Sequence, residues 1–149
     1  MVKFSYKMQN ILNIKFKLEN QAKTGLANAM AKLEEEKQKL LLLQRKQQQY
    51  EDGYRQCLET VLNIRELNLC VQGIELMKER IKTQIVAIHV AEKNVEAARQ
   101  RLQDVMQERK THEKLKEYAF DEYVKEMNAE ESKAIDELVS YNFGKVAGE

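Results

Sequence analysis

The sequence predicts an all-α fold, a long antiparallel two-helix coiled-coil hairpin with its bend near residues 62–70. Three observations predict it. The 149 residues include no Pro, no Trp and only five Gly, and 33% of them are charged, which is the profile of long helix rather than of a rounded globule. Apolar residues recur at alternating spacings of three and four in two runs, one in each half of the chain. The two ends of the chain carry opposite charge.

The first run supplies arm one, about residues 4–61. It reads Ala22, Leu26, Ala29, Leu33, Glu36, Leu40, Leu43, Gln47, Tyr50, Tyr54, Cys57, Val61 and Ile64, with polar entries only at Glu36 and Gln47. Upstream, Phe4, Met8, Ile11 and Leu18 continue it, with Lys15 intruding. The step Leu18–Ala22–Leu26 reads as a stutter that locally unwinds a supercoil.

The second run supplies arm two, about residues 70–140. It passes through Ile74, Met77, Ile81, Gln84, Ile88, Ala91, Val95, Ala98, Leu102 and Val105, then meets Arg109 and His112. It resumes more loosely through Leu115, Ala119, Tyr123 and Met127. Carried past Ile64, the first frame lands on Asn68, Val71 and Glu75, whereas the second needs Ile74 and Met77. The register therefore slips inside "ETVLNIRELNLCVQGIELM", where Asn63, Asn68 and Gly73 are the turn-favouring residues.

Charge turns the slip into a reversal. Lys3, Lys7, Lys15 and Lys17 stand in the first 18 residues without an acid, while residues 113–137 are rich in Glu and Asp. Folding back lays one beside the other, whereas a parallel in-register dimer would set like against like. Single exposed pairs are weak and screened, but several together choose a pairing. Each arm should reach on the order of 85–100 Å at about 1.5 Å per residue. Residues 141–149, with Gly144 and Gly148, read as a frayed tail, and the whole chain as one element bent once.

Chemistry is sparse. No glycine-rich phosphate loop, Cys-x-x-Cys or His-x-x-x-His is present, so no catalytic residue, metal site or cofactor is expected. The two cysteines give no disulfide framework. His112 with Arg109 reads either as a proton-sensitive polar layer or as a seam-edge pair. The net charge of +1, with acids flanking Arg99, Arg101, Arg109 and Lys110, argues against nucleic acid. No apolar run approaches the ~20 residues of a membrane span, and no signal peptide is evident. The basic amphipathic start could lie on an anionic membrane, although the opposite arm can cover its apolar face. Tyr50 and Tyr54, with Leu43 and Gln47, face Cys70, Ile74, Met77 and Ile81 near the bend. They read either as a seam widened for aromatics or as a patch awaiting a partner.

The opening "MVKFSYKMQNILNIKFKLENQAK", the stretch "AEKNVEAARQRLQDVMQERKTHEKLKE" and the late "EESKAIDELVS" resemble the FliJ family, coiled-coil stalk components of the bacterial flagellar type III export apparatus. The resemblance implies a non-enzymatic, monomeric stalk at the cytoplasmic face of the cell membrane. It further implies insertion into the flagellar export ATPase hexamer, promotion of its assembly, and contact with the membrane export-gate protein and export chaperones. By the same resemblance, Leu43, Gln47, Tyr50, Tyr54, Cys70, Ile74, Met77 and Ile81 would form the gate-binding patch. Phe4, Met8 and Ile11 would belong to the end that enters the ATPase ring. The alternatives are the equivalent stalk of a virulence secretion system and a generic dimeric coiled-coil scaffold.

Overall fold

The computed structural model describes residues 3–60 and 63–147. Val61, Gly148 and Glu149, named in the frames and tail above, lie outside the described residues, as do Met1, Val2 and Leu62. Two helices account for nearly all the rest: α1 Gln9–Glu59 and α2 Ile64–Ala147. They pack against each other as an all-α hairpin.

The interruption between them is short. Thr60 closes α1, its backbone N–H and its hydroxyl both donating to the Gln56 carbonyl at 3.1 and 2.8 Å. Asn63 opens α2 as an N-cap: its Oδ1 accepts from the backbone N–H of Arg65 at 3.1 Å and of Glu66 at 3.5 Å, and its carbonyl accepts from Leu67. Glu66 adds a carboxylate to the first turn, where the helix dipole favours one. Of the expected bend segment 62–70, Leu62 lies outside the described residues, and Ile64 to Cys70 are already helical. At the other end α2 runs on to Ala147, into the segment 141–149 set apart above as a tail.

The chain divides into two compact units, and the division cuts both helices. The bend unit, Asn20–Gln103, is built on the frames read from sequence. In α1, Ala22, Leu26, Ala29, Leu33, Leu40, Leu43, Gln47, Tyr54 and Cys57 are half-buried, and Glu36 is buried. In α2 the buried face comprises Met77, Ala91 and Val95, with Ile81, Gln84, Ile88, Ala98 and Leu102 half-buried beside them. The second frame extends back to Cys70 and Leu67, while Ile64, placed in the first frame above, is exposed. It belongs to α2 and lies past the turn, so the first helix cannot carry it.

Glu36 and Gln84 meet across this seam. Gln84 Nε2 donates to the Glu36 carbonyl at 2.8 Å and to its carboxylate at 2.6 Å. Lys32 and Lys39, one turn either side, reach the same carboxylate at 3.0 and 3.3 Å. Glu36 is only 7% exposed. Lys32 first, then Gln84, hold its pKa down at about 2, against an ordinary 4.5, despite the opposing effect of burial. A polar pair at one seam position fixes helix register, because a slipped pairing would leave the carboxylate without its partner.

This group gives a pH-dependence of defined sign. Its folded pKa lies below its unfolded one, so the unfolded chain binds more protons between the two. The stability it contributes is complete above pH ~4.5 and is lost as pH falls towards ~2. The melting temperature of the unaltered chain minus that of Glu36→Gln should shrink steadily over this window. A difference that stayed constant from pH 6 to pH 2 would contradict the arrangement.

The terminal unit takes the chain up to Glu19 and from Asp104 onward. Here the upstream frame differs from expectation. Leu12 and Glu19 are buried and Lys15 half-buried, whereas Met8 and Ile11 are mostly exposed. Leu12, Lys15, Glu19 and Ala22 continue the three–four alternation without a stutter; selecting for apolar residues had hidden a register that runs through charged ones. Facing them in α2, Val105 is fully buried, and Arg109, His112, Lys116, Ala119 and Tyr123 are half-buried. Lys116 takes the seam position, and Leu115, assigned to it above, points outward.

Candidate functional site

In the bend unit the eight residues proposed for the patch lie on facing stripes of α1 and α2, and they are not equally accessible. Met77 is 3% exposed and belongs to the core, whereas Tyr50 is 38% exposed. Leu43, Gln47, Tyr54, Cys70, Ile74 and Ile81 are half-buried. Gln47 turns its amide to Glu51 at 3.1 Å. Of the eight, Tyr50 is therefore the most accessible.

Gly73 explains how Tyr50 is held. Its φ is not positive, and it lies inside α2, so it has no turn to make. A Cβ placed on it would come within 2.5 Å of Cδ1 and Cε1 of the Tyr50 ring. The ring lies on the bare glycine backbone, as a larger residue there would forbid. Leu69 and Leu76, four residues before Gly73 and three after it, share its face of α2 and are 59% and 49% exposed. Tyr50 therefore lies over a stretch of α2 bordered by exposed leucines, an arrangement suited to an aromatic-anchored contact. The leucines fall outside the heptad frame, which is why frame-reading missed them; the signal in the sequence was apolar residues at a spacing of seven, off the seam.

The terminal unit carries different chemistry. Phe4 packs edge-on to Phe120, ring centroids 5.2 Å apart at 78°, and against Tyr123 at 5.4 Å. A shallow groove beside them is floored by Leu12, Phe16 and Phe120 and edged by Glu117 and Asp121. Met8 and Ile11 lie on the outer side of the helix start, exposed. From Asn128 to Lys145 every α2 residue is exposed, including Ile135, Leu138, Val139, Tyr141 and Phe143. Among the described residues, no element covers the apolar side chains of that length of helix.

One turn deeper lies a buried ion pair. Arg109 Nε donates to Glu19 Oε2 at 2.6 Å and Nη2 to Oε1 at 3.4 Å, while Nη1 reaches Glu113 at 2.8 Å. The guanidinium also lies 5.7 Å from the Phe16 ring centre. The hydrogen bond to Glu19 is the chief reason its pKa rises above the ordinary value. Lys15 meets Glu108 at 3.0 Å, an acid of α2 that lies before the acidic stretch 113–137; Glu19–Arg109 runs the other way. Nδ1 of His112, on the next turn of α2, is buried and has no hydrogen-bond partner.

Among the described residues no cluster of His, Cys, Asp and Glu is grouped to hold a metal, and no helix is long and apolar enough to cross a membrane. Each unit exposes apolar side chains of a different kind: Tyr50 with Leu69 and Leu76 in one, and Met8, Ile11 and the face after Asn128 in the other.

Comparison with curated proteins and with solved structures returns no match. A family model described as "Flagellar FliJ protein" matches residues 4–148. With a match across nearly the whole chain and an all-α helical hairpin beneath it, the chain belongs to the FliJ family and is a component of the flagellar export apparatus.

Proposed function

We propose that the protein is a non-enzymatic coupling stalk of flagellar protein export. The terminal unit enters the export ATPase hexamer and promotes its assembly, and the bend unit engages the cytoplasmic part of the membrane export gate. Export chaperones are further partners. The chain acts as a monomer at the cytoplasmic face of the membrane. The observation that carries this reading is the family match over residues 4–148. The accessible surfaces support it, since a stalk between two partners needs two unlike surfaces. Tyr50 on Gly73 offers an aromatic anchor at the bend, and Phe4, Met8 and Ile11 with the exposed face after Asn128 offer an apolar surface at the termini. No residue is asked to do chemistry; the stalk works by transmitting position between what it holds.

Replacing both Tyr50 and Tyr54 by alanine tests the bend surface. Helical circular dichroism should be retained, because a hairpin seam this long survives two truncations. Binding to the isolated cytoplasmic portion of the gate should fall at least ~100-fold, as expected when a central aromatic pair is lost, and swimming should cease. Normal swimming in the double variant would contradict the proposal.

A further inference from the structure

The chain has two cysteines, and the fold brings them together. Cys57 lies in the last turn of α1 and Cys70 in the second turn of α2, both within the bend unit, both half-buried and unbridged. Gly53, one turn before Cys57, makes the approach possible. A Cβ on it would stand 3.2 Å from Cys70 Sγ, tighter than ordinary contact, so the bare backbone admits the sulfur. Besides burial, the Cys70 thiol lies close enough to Cys57 to raise its pKa. A shallow cleft bordered by Gly53, Gln56, Cys57, Thr60, Leu69 and Cys70 opens beside them.

Either cysteine alone would be an ordinary small seam residue. Two on facing helices, with their sulfurs adjoining, next to a glycine that makes room for one of them and a cleft that lets a small reagent in, make a dithiol. We propose that Cys57 and Cys70 are a modification site that closes to an intramolecular disulfide on meeting a low-molecular-weight disulfide oxidant such as oxidised glutathione, pinning α1 to α2 beside the bend.

The chemistry balances without any further reactant. One cysteine loses its proton and its sulfur attacks a sulfur of the oxidant, whose S–S bond breaks and releases one glutathione thiolate, which takes up a proton. The second cysteine then loses its proton and attacks the protein sulfur of the mixed disulfide, releasing the second glutathione. Two protein thiols are oxidised by two electrons, and one small disulfide is reduced to two thiols. Burial, and after it the Cys70 thiol and the Glu66 carboxylate, raise the Cys57 pKa above its ordinary value, so closure should quicken with pH through the alkaline range. The site is independent of the stalk role proposed above.

The test uses the full chain with oxidised glutathione at pH 8, followed by intact mass and non-reducing peptide mapping. Expected is a monomeric product about 2 Da lighter, carrying no glutathione, with Cys57 linked to Cys70. Dithiothreitol should reverse it, and it should melt on the order of 5–10 °C above the reduced chain. Cys57→Ser and Cys70→Ser should each stop at a glutathione adduct. Closure in native buffer should run at least ~10-fold faster than in urea, because the fold positions the second thiol. Disulfide-linked dimers, a stable glutathione adduct on the unaltered chain, thiols that stay reduced, or closure no faster than in urea would each overturn the proposal.

Discussion

Arg109→Leu should lower the melting temperature on the order of 10 °C, the largest effect expected of a single substitution in this chain. Glu19, whose carboxylate Arg109 grips, is 5% exposed. Removing the guanidinium takes from that buried carboxylate the two hydrogen bonds Arg109 gives it, at 2.6 and 3.4 Å, which is far more unfavourable than losing an exposed pair. Glu113 would lose a partner too, but it is accessible enough for water to replace one. The same reasoning predicts rescue. Adding Glu19→Leu to Arg109→Leu should restore most of the lost stability, because a seam position filled by two apolar residues has no charge to strand. Thermal melts of the two single variants and the double one decide between charge and packing. A double variant as unstable as Arg109→Leu alone would mean that the packing of Arg109 on Phe16, and not the ion pair, holds this part of the seam.

The second large effect is a reversal of sign at Gly73. Gly→Ala inside a helix ordinarily stabilises by roughly 1 kcal/mol. Gly25, which has nothing within 4 Å of a built Cβ, should show that gain. At Gly73 the new methyl would overlap the Tyr50 ring at 2.5 Å, and forcing the ring away should outweigh the helical gain by about 1 kcal/mol. In a Tyr50→Ala background the overlap is gone, and Gly73→Ala should then stabilise by about 1 kcal/mol. The coupling of about 2 kcal/mol falls within the range for residues in direct contact. Urea melts of the four chains measure it. If Gly73→Ala stabilises equally with and without the tyrosine ring, Tyr50 does not rest on Gly73.

The two helices and most of the seam were legible in the sequence because heptad spacing is a direct record of which side chains face inward. From Ala22 to Cys57 and from Ile74 to Val105, the frame positions are buried or half-buried with Tyr50 alone exposed, and even the polar entries Glu36 and Gln84 fall on the seam. Legibility failed where burial and apolarity part. Before Ala22 the buried face runs through Lys15 and Glu19, so a search for apolar residues settled on Ile11 and Leu18 instead. Arg109 was visible as a polar interruption, but its partner lies 90 residues away and no local pattern announces it. Gly73 was ambiguous in principle, since a missing Cβ serves a tight turn and a close approach equally well; only the position of the Tyr50 ring decides for the latter. Of the bend surface, Tyr50 and Tyr54 were readable as misfits in a coiled-coil seam, and Leu69 and Leu76 were not, because exposure depends on what the partner helix leaves uncovered.

Both surfaces now carry a specific expectation about what touches them, and photo-crosslinking in living cells tests it most directly. A photoreactive phenylalanine analogue would be placed singly at position 50 or position 11, and the crosslinked partners identified by mass spectrometry. The coupling-stalk account predicts that position 50 captures the membrane export gate and position 11 captures the export ATPase. Capture of the same partner from both positions, or of the two partners the other way round, would contradict it.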